Sequence, residues 1–228
     1  MSVRHLQVLA LTAVVVATSA YAADTRQAPP LTIAQLQYDG GGDWYANPSG
    51  LPNLLRAIHE RTGLPVSTQP ARTRLTDPSL WSYPYLYMTG HGNVRFSAEE
   101  VEVLRRFLLE GGFLHVDDNY GLDESFRREV RRVFPDRELQ EIPTTHPVFN
   151  VLYEFPQGLP KIHRHDGAAP QALGIFDRGR LVLFYSYESD LGNGWEDPEV
   201  HEDPPHAREA ALRMGVNLFL YALAQVVS

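Results

Sequence analysis

Two adjacent carboxylates, Asp117 and Asp118, close the apolar run Phe113 to Val116, and Asn119 follows them. Carboxylates side by side raise each other's proton affinity once both lose water, so such a pair can divide acid and base roles. Their oxygens could also hold a hard cation. The plainer use of Asp at such a place is to cap a helix or hold a turn. His91 lies between Gly90 and Gly92, where backbone can approach closely. A histidine there can act as a base, a metal ligand or a turn donor. Asp43 and Trp44 follow the run Gly40 to Gly42, and His146 precedes Pro147, which favours an extended residue before it. The candidate site is therefore Asp117, Asp118 and His91 as catalytic groups, with Asp43, Trp44, Gly90, Asn119 and His146 as binding groups.

Other chemistry is excluded by what the chain lacks. It contains no cysteine, which removes thiol nucleophiles, thiolate metal sites, thiol redox steps and disulfides. No G-x-S-x-G and no H-E-x-x-H occurs. The Gly40 to Gly42 run lacks a following Gly-Lys-Ser/Thr and leads into Trp44-Tyr45, which argues against phosphate-cradling and dinucleotide loops. His163 and His165 form a His-x-His pair that needs ligands from elsewhere to make a metal site. The acidic stretch Glu196 to His206 lacks calcium-loop spacing and reads as a solvated surface loop. No cofactor is expected, and a divalent metal is the one left open. A net charge of −8 without a basic block argues against nucleic acid or anionic lipid as partner.

These residues need elements to position them. Leu31 to Tyr38 alternates apolar and polar residues and reads as a first strand leading to Asp39 and Asp43. Ser49 to Thr62 has helical spacing and stops at Gly63. Tyr83 to Met88 is a strand leading to His91. Ser97 and Glu100 form a capping box for a helix that ends at Gly111-Gly112, ahead of the strand Phe113 to Val116. Leu122 to Phe134 is an amphipathic helix whose Arg-Arg-Glu-Val-Arg-Arg run reads as a solvated face. Leu173 to Phe176 and Leu181 to Tyr187 form a hairpin leading to Glu188 and Asp190, and a last helix starts near Asp203-Pro204-Pro205. Strands alternating with helices imply a layered α/β domain with a mainly parallel sheet. If four of the strands are parallel, the four polar clusters share one rim, where ligands bind in open α/β sheets.

Residues 1–22 have a basic start at Arg4 and His5, an apolar run from Leu6 to Ala17 and the small-x-small motif Ala20-Tyr21-Ala22. That pattern reads as a signal peptide cleaved after Ala22, since the apolar run falls short of the about 20 residues of a membrane span, with an uncleaved anchor as the alternative. Residues 23–30 form a linker and 31–228 one domain, with no membrane span in the mature chain and a periplasmic or secreted destination.

The motifs GGGDWY (Gly40 to Tyr45), SGLPNLL (Ser49 to Leu55), TGHGNVRFS (Thr89 to Ser97), GGFLHVDDNYG (Gly111 to Gly121) and HPVF (His146 to Phe149) together resemble a bacterial family of unknown function numbered 4159. The resemblance implies a three-layer, flavodoxin-like fold akin to class I glutamine amidotransferases, with helices on both faces of the sheet. In that superfamily the strand after the Gly pair ends in a nucleophilic cysteine. Here Asp117-Asp118-Asn119 stands in its place, so amidotransfer is not expected. The implied role is binding of a small-molecule ligand or a cell-envelope protein. The alternatives are a metal-assisted hydrolase of a sugar or peptide envelope component, with His91 and His146 as ligands or electrophiles, and a scaffold subunit.

Overall fold

The computed structural model describes residues 31–163 and 167–226. The expected signal segment and linker, and His165, lie outside the described residues. Seven strands form one sheet: β1 (Ala34–Leu36), β2 (Ala71–Thr73), β3 (Tyr85–Gly90), β4 (Phe113–Asp118), β5 (Gln140–Glu141), β6 (Gln171–Asp177) and β7 (Arg180–Tyr187). Their order is β2-β1-β3-β4-β7-β6-β5. The first five of these are mutually parallel, and β6 runs antiparallel to both neighbours. Every residue of β3 and β4 is buried, as in a parallel strand covered on both faces.

Among the described residues six α-helices accompany the sheet: α1 (Gly50–Thr62), α2 (Ala98–Leu109), α3 (Asp123–Val133), α4 (Leu191–Trp195), α5 (Pro198–His201) and α6 (Pro205–Val226). Two cores result. On one face Leu54, Ile58, Trp195 and Phe219 of α1, α4 and α6 pack on Tyr85, Tyr87, Phe113 and Phe184. On the other, Leu104, Leu108, Phe126 and Val130 of α2 and α3 pack on Leu86, Met88, Leu114 and Val116. The expected capping box opens α2: Ser97 Oγ accepts from the Glu100 N–H at 3.1 Å, and the Glu100 carboxylate accepts from the Ser97 N–H at 2.8 Å. Among the described residues no helix is long and apolar enough to cross a membrane.

Three expectations are corrected. The strand read over residues 31–38 pairs continuously only at Ala34–Leu36, flanked by single bridges from Leu31 to Val66 and from Asp39 to Arg95. The arginine-rich run of α3 is not wholly solvated. Glu129 is buried, accepts from the Phe96 N–H at 3.2 Å and pairs with Arg128 and Arg132. Those arginines donate to the Val94 and Phe96 carbonyls, so α3 clamps the loop that follows His91. The acidic stretch also turns inward at its first residue: Glu196 is buried and accepts from the Ser49 N–H and hydroxyl at the start of α1.

Candidate functional site

The four polar clusters do share one rim, because β1, β3, β4 and β7 are parallel neighbours. From β1 the chain crosses through α1 to β2 on one side and then returns to place β3 on the other. The connections thus part in opposite directions at the carboxyl ends of β1 and β3, and in doubly wound sheets such a switch point is the crevice that takes ligands. Asp43 in the loop after β1 and His91 in the loop after β3 meet across it. Asp43 Oδ1 accepts from the His91 N–H at 2.5 Å, and Oδ2 lies 2.8 Å from His91 Nδ1. In the neutral imidazole, an Nδ1–H donated to the carboxylate fixes the tautomer that leaves Nε2 as the acceptor. Burial pushes the Asp43 carboxyl up, but the His91 N–H, ring hydrogen bond and charge outweigh it, so Asp43 lies below its usual range.

Gly90 makes this approach possible. Its φ is 147°, and a Cβ there would fall 2.2 Å from the Tyr38 hydroxyl and 3.0 Å from Asp43 Oδ1. Tyr38 donates to the Thr89 carbonyl at 2.9 Å and so braces the turn. Asn119, from the end of β4, brings its amide to 3.5 Å from His91 Nδ1. The Trp44 carbonyl accepts from Gln35 Nε2 at 2.9 Å, which ties the Asp43 loop to β1. Asp43, Trp44, Gly90, His91 and Asn119 thus belong to one assembly.

Asp117 and Asp118 do not act as a pair. Side chains alternate along a strand, so the two carboxylates point to opposite faces of the sheet. Asp117 is wholly buried and accepts from Ser186 Oγ at 2.5 Å, the Gly192 N–H at 2.7 Å, the Leu191 N–H at 3.2 Å and the Tyr87 hydroxyl at 3.3 Å. It holds α4 against the sheet. Burial raises its pKa to about 6 against those four donors. Asp118 accepts from the Leu122 N–H at 3.0 Å and the Tyr185 hydroxyl at 3.3 Å on the other face. Burial, with the charges of Asp123 and Glu188, raises it to about 6 against those hydrogen bonds. Asp117 thus meets the first N–H groups of α4, and Asp118 holds the turn before α3, the plainer uses of Asp at such places.

Behind Asp117 runs a polar chain that the pattern of apolar strands concealed. Tyr85 OH lies 3.0 Å from His115 Nδ1, and His115 Nε2 lies 2.9 Å from Ser186 Oγ, which donates to Asp117. His115 and Ser186 are 0 % exposed, and burial drops the imidazole to about 3, so it stays neutral. Serine, histidine and aspartate therefore meet, but with serine between the other two and no access for substrate. Their signal was a histidine inside β4 and a serine inside β7, each among apolar neighbours.

Nearby, burial and then the charges of Asp117 and Asp118 raise Asp190 to about 8, while Glu188 pairs with Lys161 at 2.8 Å. His146 does not join the rim. Its Nδ1 accepts from the Val148 N–H at 3.2 Å, and its ring packs on Phe176 and Tyr221, whose hydroxyl accepts from the Leu181 N–H. Leu181 begins β7 while Ser186 pairs with Asp117 near its end, so His146 is nearly a strand length away. A cavity of about 1000 Å³ also opens at that far end, lined by Trp81, Phe107, Gly112 and Arg180. Arg180 is already spent there on the Leu108 and Gly112 carbonyls.

Among the described residues no group of three or more histidine and carboxylate side chains is arranged to hold a metal ion. His163 lies 3.5 Å from Asp203, away from the Asp43–His91 pair. No curated protein matches the chain. The family model described as a domain of unknown function (DUF4159) matches residues 32–223, which include β1, β3, β4 and the whole rim between them, and the chain belongs to that family.

Proposed function

We propose that the chain is an exported, thiol-free binding domain that takes its ligand at the crevice between β1 and β3 and carries out no amide transfer. The observation behind this is the Asp43–His91 pair at the reversal of strand order, half exposed at the histidine and using one of its two ring nitrogens. The carboxylates that could serve acid–base chemistry are instead engaged by N–H and O–H donors on opposite faces of the sheet. The order β2-β1-β3-β4 with helices on both faces fits a flavodoxin-like plan. On that plan β4 takes the place of an amidotransferase nucleophile strand, with Asp117-Asp118-Asn119 where the cysteine would stand. The basic, apolar and small-residue pattern of residues 1–22 favours export to the periplasm or beyond. Three converging side chains suit a small molecule, or the end of a larger one, and need no cofactor.

The test is ligand-observed NMR of the mature chain against a mixed library of neutral, anionic and cationic small molecules and short peptides. Ligands should be found whose signals are lost with His91→Ala and with Asp43→Asn. Both side chains are partly exposed, so the melting temperature should move by only about 2 °C. Ligands that bind all variants equally would overturn the proposal.

A further inference from the structure

The chemistry of the unmet groups at the crevice identifies a class of ligand, provided that the binding function proposed above holds. The carboxylates around it are engaged. Asp43 holds His91, Asp39 pairs with Arg74, Asp118 accepts from Leu122 and Tyr185, and Glu188 pairs with Lys161. Each already accepts from donors of the chain, so a cation entering the site would have to displace them from the same oxygens. An anion would meet the same carboxylates as repulsion. The His91 side chain is half exposed and uses Nδ1 on Asp43, which leaves Nε2 to a ligand, and Asn119, only 1 % exposed, has a side-chain oxygen with no hydrogen-bond partner. A buried amide group of this kind calls for a partner.

The Asn119 nitrogen points at His91 Nδ1, which is already the donor to Asp43. Rotating the amide exchanges the two ends, and either way one of them is unmet. A hydroxyl both donates and accepts, so one hydroxyl satisfies either orientation and a second can donate to Nε2.

Two aromatic side chains stand in the same loops. Tyr45, two residues after Asp43, is 60 % exposed, and Tyr120, next to Asn119, is 49 % exposed. Tyr120 is held at φ 68°, a conformation that bulky side chains rarely adopt, directly before Gly121. Strain of this kind gathers at functional positions. The negative face of an aromatic ring receives the C–H face of a sugar ring, while hydroxyls at the ring edge reach polar groups beside it. We propose that this crevice binds a neutral saccharide, with hydroxyls on His91 Nε2 and the Asn119 amide and a sugar ring face on Tyr45 or Tyr120.

The experiment is a calorimetric and NMR titration of the mature chain with three neutral tetrasaccharides: β-1,4-linked N-acetylglucosamine tetramer, cellotetraose and maltotetraose. Tetragalacturonate and spermidine serve as anionic and cationic probes. At least one neutral tetrasaccharide should bind, Tyr45→Ala or Tyr120→Ala should weaken it at least about tenfold, and the matching Phe variant should restore it. Asn119→Leu should abolish binding. Binding of none of the three, or tighter binding of tetragalacturonate or spermidine, would overturn the saccharide assignment. If the small-molecule library then still yields His91-dependent ligands, the binding function stands and only the ligand class is wrong. If it yields none, both fall.

Discussion

Replacing Asp118 with asparagine should stabilise the protein, increasingly as pH rises from about 4 and fully above about 7. Asparagine has the same shape. Its oxygen can keep the Leu122 N–H, and its NH₂ can donate to the Tyr185 hydroxyl, which still donates to Asp123 at 2.9 Å. The change therefore removes a buried charge and leaves the hydrogen bonds in place. In the folded chain Asp118 titrates at about 6, against about 3.9 when unfolded. Between those values the folded state keeps a proton that the unfolded chain has released. This group's contribution thus falls as pH rises from about 4 to 6 and is level above about 7. About two pK units at about 1.4 kcal/mol each give a loss of ~3 kcal/mol. The asparagine variant escapes it. With a urea slope of about 2 kcal/mol/M, the unfolding midpoint of the variant should match wild type at about pH 3 and exceed it by about 1.5 M at pH 8. Circular dichroism across a urea series at the two pH values measures this. A variant less stable than wild type at pH 8 would refute the reasoning and mean that the carboxylate is held as an anion by a favourable partner, such as a cation.

Two further predictions concern the scaffold. Gly192→Ala places a Cβ 2.5 Å from Asn47 Nδ2, 2.6 Å from the Tyr87 hydroxyl and 3.0 Å from Asp117 Oδ2, so α4 must shift. The expected loss is about 2–3 kcal/mol in urea unfolding, with faster amide exchange at Leu191 and residue 192. Asn217→Ala removes a buried amide that accepts from the Leu152 and Tyr153 N–H groups and donates to the Val148 and Tyr153 carbonyls. Leaving these backbone groups unmet should cost about 3 kcal/mol or more, read as a fall in melting temperature, whereas Asn217→Asp should lose less at low pH than at high pH.

The sequence made the long elements legible because each carries its own signal. The capping box at Ser97 and Glu100 fixed the start of α2, and the apolar runs of β3, β4 and β7 pointed to buried parallel strands. β2 and β5 span three and two residues, too few to show a period, and α4 has five. Asp43, His91 and Asn119 were recognisable as strand-end residues, and the parallel order of β1, β3 and β4 brings them together. Residues that are adjacent in the chain misled. Asp117 and Asp118 looked like a pair, and the period of two sends them apart. His146 had a constrained loop around it, but a loop's stiffness carries no information about which end of the sheet it occupies. Glu129 and Glu196 looked solvated because their partners, Phe96 and Ser49, come from distant segments.

The Asp43–His91 bridge joins residues 48 positions apart, and the Asn119 contact to His91 adds a separation of 28. No local fragment of the chain can therefore contain the crevice, and it exists only while β1 keeps its register beside β3. Opening of that one strand pair would erase the recognition groups, so the native ensemble cannot shed β1 and still hold a ligand. Binding is thereby coupled to the cooperative unit as a whole. A ligand at one hundred times its Kd should protect amides of β1, β3 and β4 together, deepening their opening free energy by about 2.7 kcal/mol, and not only those of the loops it touches.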